Sequence, residues 1–171
     1  MATLRSLTVR AGAMLLLAVA LSSCGFQLRG SNGQYHMPFQ TIYLGFSDTS
    51  PLGIELRRNL RGGDAVVVVT DASKAEAKFD VLSETRGKTI LSLNSQGRVR
   101  EYMLTYTLVF RVRDAKDVEL LGSTEISLKR SIAFNETQVL AKESEEALLY
   151  RDMQSDLVQQ ILRRLSAIKR V

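Results

Sequence analysis

The 171-residue chain has little of what most catalytic and metal sites are built from: one cysteine, one histidine and two prolines. A single cysteine, Cys24, excludes an intramolecular disulfide framework and a cysteine-rich zinc site. A single histidine, His36, excludes a histidine-based metal cluster within one chain and leaves one candidate base for a nucleophile triad. Two prolines and scattered glycines exclude collagen-like and proline-rich architectures, and no glycine motif that cradles phosphates occurs. Acidic pairs such as Asp80 and Glu84, or Glu145 and Glu146, have a spacing that is ordinary on strands and helix starts. Nothing therefore favours an enzyme. What remains is 45% hydrophobic and 24% charged, enough to bury the core of one domain.

The N-terminus also lacks an apolar run long enough to span a bilayer as a helix. Residues 11–21 (AGAMLLLAVAL) fall well short of the roughly 20 required. They follow a stretch holding Arg5, Arg10 and no acid, as in the charged and apolar regions of a secretory signal peptide. Leu21-Ser22-Ser23-Cys24 then resembles a bacterial lipobox, which implies a leader over residues 1–23 and acylation of Cys24. One acyl chain holds a protein to a membrane only marginally, and several hold it stably. No other cofactor is expected. Gly25, next to the lipidated position, is compatible with the outer membrane rather than retention at the inner one. Loss of the leader takes Arg5 and Arg10 with it and leaves +3 of the formal charge of +5. That balance does not argue for nucleic acid, and suits an anionic lipid or glycolipid better.

Residues 24–38 form the expected tether and 39–171 a single domain. Thr41 to Leu44 has strand character. Ser50-Pro51 starts a helix, with Ser as N-cap and Pro at the first helical position, and its apolar stripe is Leu52, Leu56 and Leu60. Gly62-Gly63 ends it. The run 65–69 (AVVVV) suits a strand buried on both faces. From Phe79 to Leu93, from Tyr102 onward, and from Val118 to about Phe134 the pattern is two-fold, with turns at 94–97 and 114–117. Tyr102, Leu104, Tyr106, Leu108, Phe110 and Val112 share one face of the middle strand. On the next, Leu120, Thr124, Ile126 and Leu128 share the more apolar face. A final helix carries the stripe Leu149, Met153, Leu157, Ile161 and Leu165, widened by Leu148, Val158 and Leu162. Glu143, Glu145 and Glu146 are expected at its start, with Lys142 just before it. The order predicts an α+β two-layer sandwich: a mixed four- or five-stranded sheet with two helices packed on one face.

Cys24-Gly25-Phe26-Gln27-Leu28-Arg29-Gly30 resembles the CGF(H/Q)LRG start of the LptE family, the lipopolysaccharide-assembly lipoproteins. Ser50-Pro51-Leu52 through Leu60, the segment from Arg98 to Tyr106, Val139-Leu140-Ala141-Lys142-Glu143 and Leu162-Arg163-Arg164-Leu165 resemble later segments of that family in the same order. The resemblance implies a non-catalytic partner of the outer-membrane barrel LptD. Such a protein sits as a plug in the barrel lumen, helps it assemble and binds lipopolysaccharide. A barrel lumen is polar, and Glu125, Ser127, Lys129, Thr105, Thr107 and Arg111 could face one. For the glycolipid's phosphates the candidates are Lys142, which matches a basic position of the family, Arg98 and Arg100 beside the 94–97 turn, and Lys129 and Arg130. The competing reading from the residues is a free-standing, lipid-anchored periplasmic module that binds a ligand or the envelope. A lipid-modifying or peptidoglycan hydrolase would need His36 or unpaired acids as its base.

Overall fold

The computed structural model describes residues 35–62 and 66–169. The predicted leader, Cys24 and the 24–30 block lie outside the described residues, as does Gly63. The elements are β1 (Thr41–Leu44), α1 (Pro51–Gly62), β2 (Val67–Val69), β3 (Ala77–Leu93), β4 (Val99–Asp114), β5 (Glu119–Ala133) and α2 (Val139–Ser166). They form one five-stranded sheet of order β2-β1-β3-β4-β5. β1 lies parallel to both β2 and β3, and β3, β4 and β5 form an antiparallel meander. The expected mixed sheet with two helices is therefore the fold.

Local chemistry sets the boundaries. The Ser50 hydroxyl accepts the Gly53 backbone N–H at 3.2 Å, so Ser50 caps α1 and Pro51 opens it. At the β3–β4 turn the Asn94 side chain accepts from the backbone of Gln96 and Arg98, and Gly97 takes φ +76°. At the β4–β5 turn Asp114 accepts from Lys116 and Val118 in the same way. Asp117 there takes φ +65°, a conformation that Asp tolerates. Asn135 caps a short 3₁₀ turn, Glu136–Gln138, that leads directly into α2.

The core lies between the sheet and the helices. Leu104, Tyr106, Leu108, Phe110 and Val112 of β4 are fully buried, as are Met153, Leu157 and Ile161 of α2. Leu52, Leu56 and Leu60 of α1 close the layer, and Phe46, Phe79 and Phe110 stack with ring centroids 5.5 and 4.6 Å apart. Each fully buried Leu or Phe here contributes about 1.5–3 kcal/mol. Met37 is also buried, and Tyr35 packs on the same core. Both fall within 24–38, so the domain's packing reaches back into that segment.

Several expectations need correction. The β-branched run does not make a strand buried on both faces: β2 is a sheet edge, and Val67 is exposed. A run of valines cannot by itself distinguish an edge from a centre. In β5 two pairing irregularities break the simple alternation, so Leu121, not Leu120, stands opposite Val112. Both leucines pack against the core. Because the 3₁₀ turn hands over directly, α2 begins at Val139. Lys142 therefore lies within its first turn rather than before it, and that turn holds no acid. Leu148 does not widen the buried stripe; it is 54% exposed.

That last point reflects a division along the molecule. α2 has 28 residues and a length of about 42 Å. Its buried residues begin only at Met153. β3 behaves in the same way: Ala77 and Phe79 are buried, and no later residue of the strand is. β1 pairs only with the proximal part of the meander, and β2 lies beyond β1. The distal part, toward the 94–97 turn and the start of α2, is two-layered with one helix.

Candidate ligand and partner surfaces

The distal end collects much of the chain's exposed apolar and basic character. Ile90, Leu91 and Leu93 of β3 are exposed, and Leu140 of α2 is 80% exposed. Arg98 just precedes β4 and Arg100 lies near its start at the same end, and Lys142 occupies the first turn of α2. The pairing Ser92–Glu101 followed by Leu93–Val99 skips Arg100, so its side chain leaves from an irregular point of the ladder. Its carbonyl accepts the Phe134 N–H at 2.8 Å, which fixes the start of β4 against the end of β5. Arg98 forms an exposed ion pair with Glu136 at 3.1 Å, and Lys142 a partly covered one with Glu145 at 2.7 Å. Exposed pairs of this kind are worth about 0–1 kcal/mol and exchange readily for another anion. Lys142 also borders a small cleft formed by Tyr102, Ile132 and Phe134.

The other two basic candidates stand apart. Arg130 is paired across the sheet with Leu104 and reaches Asp156 of α2 at 2.7 Å, well along the helix. Lys129 pairs with Thr105 and is exposed on the opposite sheet face. That face also carries exposed Glu125 and Ser127 and half-buried Thr105, Thr107 and Arg111. Thr107 and Ser127 share a hydrogen bond at 2.9 Å, and Arg111 and Arg113 both grip Asp80, at 3.0 and 2.6 Å. The Arg113 and Arg111 hydrogen bonds hold the Asp80 carboxyl below the usual carboxylate range. The six residues expected to face a polar surroundings thus share one sheet face. His36 is exposed.

Sequence reasoning missed a polar seam where the proximal core gives way to the distal arm. Gln154 is the buried polar side chain of the described core, at 9% exposure. Its amide donates to Glu55 of α1 at 2.6 Å, and its carbonyl accepts from Arg86 of β3 at 3.1 Å. Arg86 also donates to the Tyr106 hydroxyl at 3.0 Å and lies over the Tyr106 ring at 4.4 Å. Tyr106 donates in turn to Glu84 at 2.6 Å. Burial, reinforced by the bond to Glu84, pushes the Tyr106 hydroxyl up to about 12. Two helices and two strands are therefore joined by one chain of polar contacts. Beside it Lys88 pairs with Glu146, lies over the Tyr102 ring at 4.5 Å, and is raised by that Glu146 hydrogen bond. The only local sign of the seam was a glutamine at the border of the apolar stripe.

Residues 39–165 match the model of the family LptE, described as lipopolysaccharide-assembly. The chain belongs to the LptE family. It is 31% identical over 159 residues to the LPS-assembly lipoprotein LptE of Pectobacterium atrosepticum, covering 91% of this chain and 84% of that protein. The corresponding protein of Yersinia enterocolitica is 27% identical over 160 residues, covering 91% of this chain and 75% of its own length. Among solved structures, an uncharacterized lipoprotein B from Nitrosomonas europaea is 42% identical. It superposes with a TM-score of 0.71 over 84% of this chain and 91% of that one. The rare lipoprotein B of Shewanella oneidensis is 25% identical with a TM-score of 0.65, covering 75% and 95% of the two chains. Membership in this assembly family makes the chain's role a non-enzymatic one.

Proposed function

We propose that this chain is an outer-membrane lipoprotein, anchored through acylated Cys24, that plugs the lumen of the LptD barrel, helps it assemble and presents lipopolysaccharide to it. The assembly role rests on the family match over residues 39–165. The observation that carries the ligand reading is the composition of the distal end. Exposed Leu91, Leu93 and Leu140 stand there beside Arg98, Arg100 and Lys142. An amphipathic glycolipid with phosphates on an apolar body matches both halves of that surface. Charge-assisted contacts to phosphate contribute about 1.5–3 kcal/mol each, less where solvent screens them. Exchanging Glu136 and Glu145 for phosphate oxygens leaves the two cations paired throughout. The hydroxyl- and charge-bearing sheet face, including Lys129, suits the polar lumen of a barrel, and Arg130 braces that sheet to α2. The lipid on Cys24 would raise the effective concentration of the plug at the barrel.

Purification of the anchored chain from outer membranes in mild detergent tests this reading. A large β-barrel should remain bound through extraction, and Cys24→Ala should leave an uncleaved, unacylated precursor. A chain that migrates alone, or a Cys24→Ala product of mature size that still partitions into detergent, contradicts it.

A further inference from the structure

Between two irregularities in its pairing with β4, at residues 81–83 and 90–92, β3 runs regularly from Ser83 to Ile90. β1 has already ended at Leu44, and its last link to β3 is the Gly45 N–H on the Phe79 carbonyl at 2.8 Å. Among the described residues this stretch therefore has a strand on one side only. In an antiparallel ladder every second residue turns its N–H and C=O away from the partner, and such an edge is a template for another strand. The Tyr150 hydroxyl donates to the Gly87 carbonyl at 2.8 Å, which shows that this acceptor faces the open side and that an added strand exchanges Tyr150 for its own N–H there. Tyr150 stands on α2. Helix and strand thus wall a groove of about 570 Å³, with Arg86 and Lys88 on one side and Glu146, Tyr150 and Arg151 on the other.

We infer that this groove takes an extended, acidic segment of a protein partner, added as a strand to the edge of β3. Charge selects the occupant. Lys88 is matched by Glu146. Arg86 donates to neutral groups, the Tyr106 hydroxyl and the Gln154 carbonyl, and Arg151 to the Ala147 carbonyl at 3.4 Å. No carboxylate lies within ion-pair distance of either arginine among the described residues, and Glu143 is the one further acid on the groove. Two cations facing one such acid leave room for an incoming carboxylate. An added strand would alternate its side chains. One set would point into the groove toward Arg86 and Arg151. The other would lie over Thr85, Gly87 and Thr89, where small residues fit. Gly87 keeps that face flat: a Cβ there would stand 2.6 Å from the Thr105 hydroxyl. The binding mode is strand addition, in which main-chain bonds supply affinity and alternate side chains supply specificity.

The test uses the full chain in detergent and a pool of ten-residue peptides with Asp or Glu at alternate positions and the rest randomised. A matched pool carries Lys at the same positions. The acidic pool should enrich binders at least tenfold over the basic pool, and a bound peptide should slow hydrogen exchange at amides of Ser83–Ile90. Methylating alternate backbone nitrogens of that peptide should abolish binding, and Arg151→Glu, on an exposed position, should weaken it at least tenfold. Four results would overturn the proposal. They are equal enrichment of the two pools, retained binding of the methylated peptide, and protection of the same amides by self-association without peptide, which would make the occupant a second copy. The fourth is protection of those amides by lipopolysaccharide micelles in place of peptide, which would make the groove part of the glycolipid site.

Discussion

The two ends of this domain are built from the same hairpin strands and the same helix, yet one is covered far more deeply than the other, where Leu104 and Ile132 are the buried apolar residues. Proximally, β1 widens the sheet beside β3, α1 packs beside the second half of α2, and Leu157, Ile161, Phe79 and Phe110 are fully buried. Distally, the same helix and the same hairpin continue without α1 or β1, and Leu140, Leu91 and Leu93 remain in solvent. The difference teaches that regular backbone and apolar spacing do not by themselves make a core. A third packed element is what converts an apolar stripe into buried area. The proximal end thus carries most of the buried area, and the distal end leaves its apolar and basic side chains exposed.

The sharpest way to break this comparison is to truncate one leucine on each side of it. Leu157→Ala should cost about 2–5 kcal/mol in denaturant unfolding, because it empties a filled site. Leu140→Ala, on the same helix, should stay within about 0.5 kcal/mol. Equal losses would mean that the distal stripe is covered in solution. At the seam the effect is intermediate. Gln154→Leu removes the partner of both Glu55 and Arg86 and should cost about 1–3 kcal/mol. It should also speed hydrogen exchange in the first half of α2 more than in the second. Uniform acceleration would show that the seam does not mark a boundary. The last effect is confined to alkaline solution. Tyr106 has a folded pKa of about 12 against an unfolded value near 10, so its protonated form is favoured by folding. Its contribution is complete below about pH 10 and is lost as the pH rises toward 12. Tyr106→Phe should remove that part of the alkaline loss. An unchanged alkaline profile would place the titration elsewhere.

How much of this was legible in the sequence follows the same division. Strict alternation from Tyr102 to Val112 named the inward row of β4 correctly, because a strand covered on one face by helices must alternate. The stripe of α2 was correct from Leu149, which packs on the core, through Leu165, and misleading at Leu148. Leu148 has the right spacing but no third element beneath it. Ser50-Pro51 gave the start of α1 because a cap is local chemistry. The start of α2 was placed too late, since the Asn135 turn that leads into it carries no strong helix signal. The seam and the groove beside β3 were not legible at all. They depend on which residues of β3 face α2, a register set by long-range pairing. The proposed ligand residues were named by resemblance and by their positions at element ends, and the fold brings Arg98, Arg100 and Lys142 to one end while setting Lys129 and Arg130 apart.

We propose that the distal end, which α1 and β1 leave uncovered, holds an anionic amphipath. Arg98→Glu combined with Lys142→Glu tests it most directly, by measuring the affinity for purified lipopolysaccharide together with the thermal midpoint. Arg98 stands in an exposed pair, whereas the Lys142 side chain is 20% exposed beside a cleft, so the midpoint reports whether the variant stays folded. The prediction is at least a tenfold loss of affinity with an unchanged midpoint, and with co-purification of the barrel retained. A folded double variant that binds lipopolysaccharide as tightly as the parent chain would contradict it.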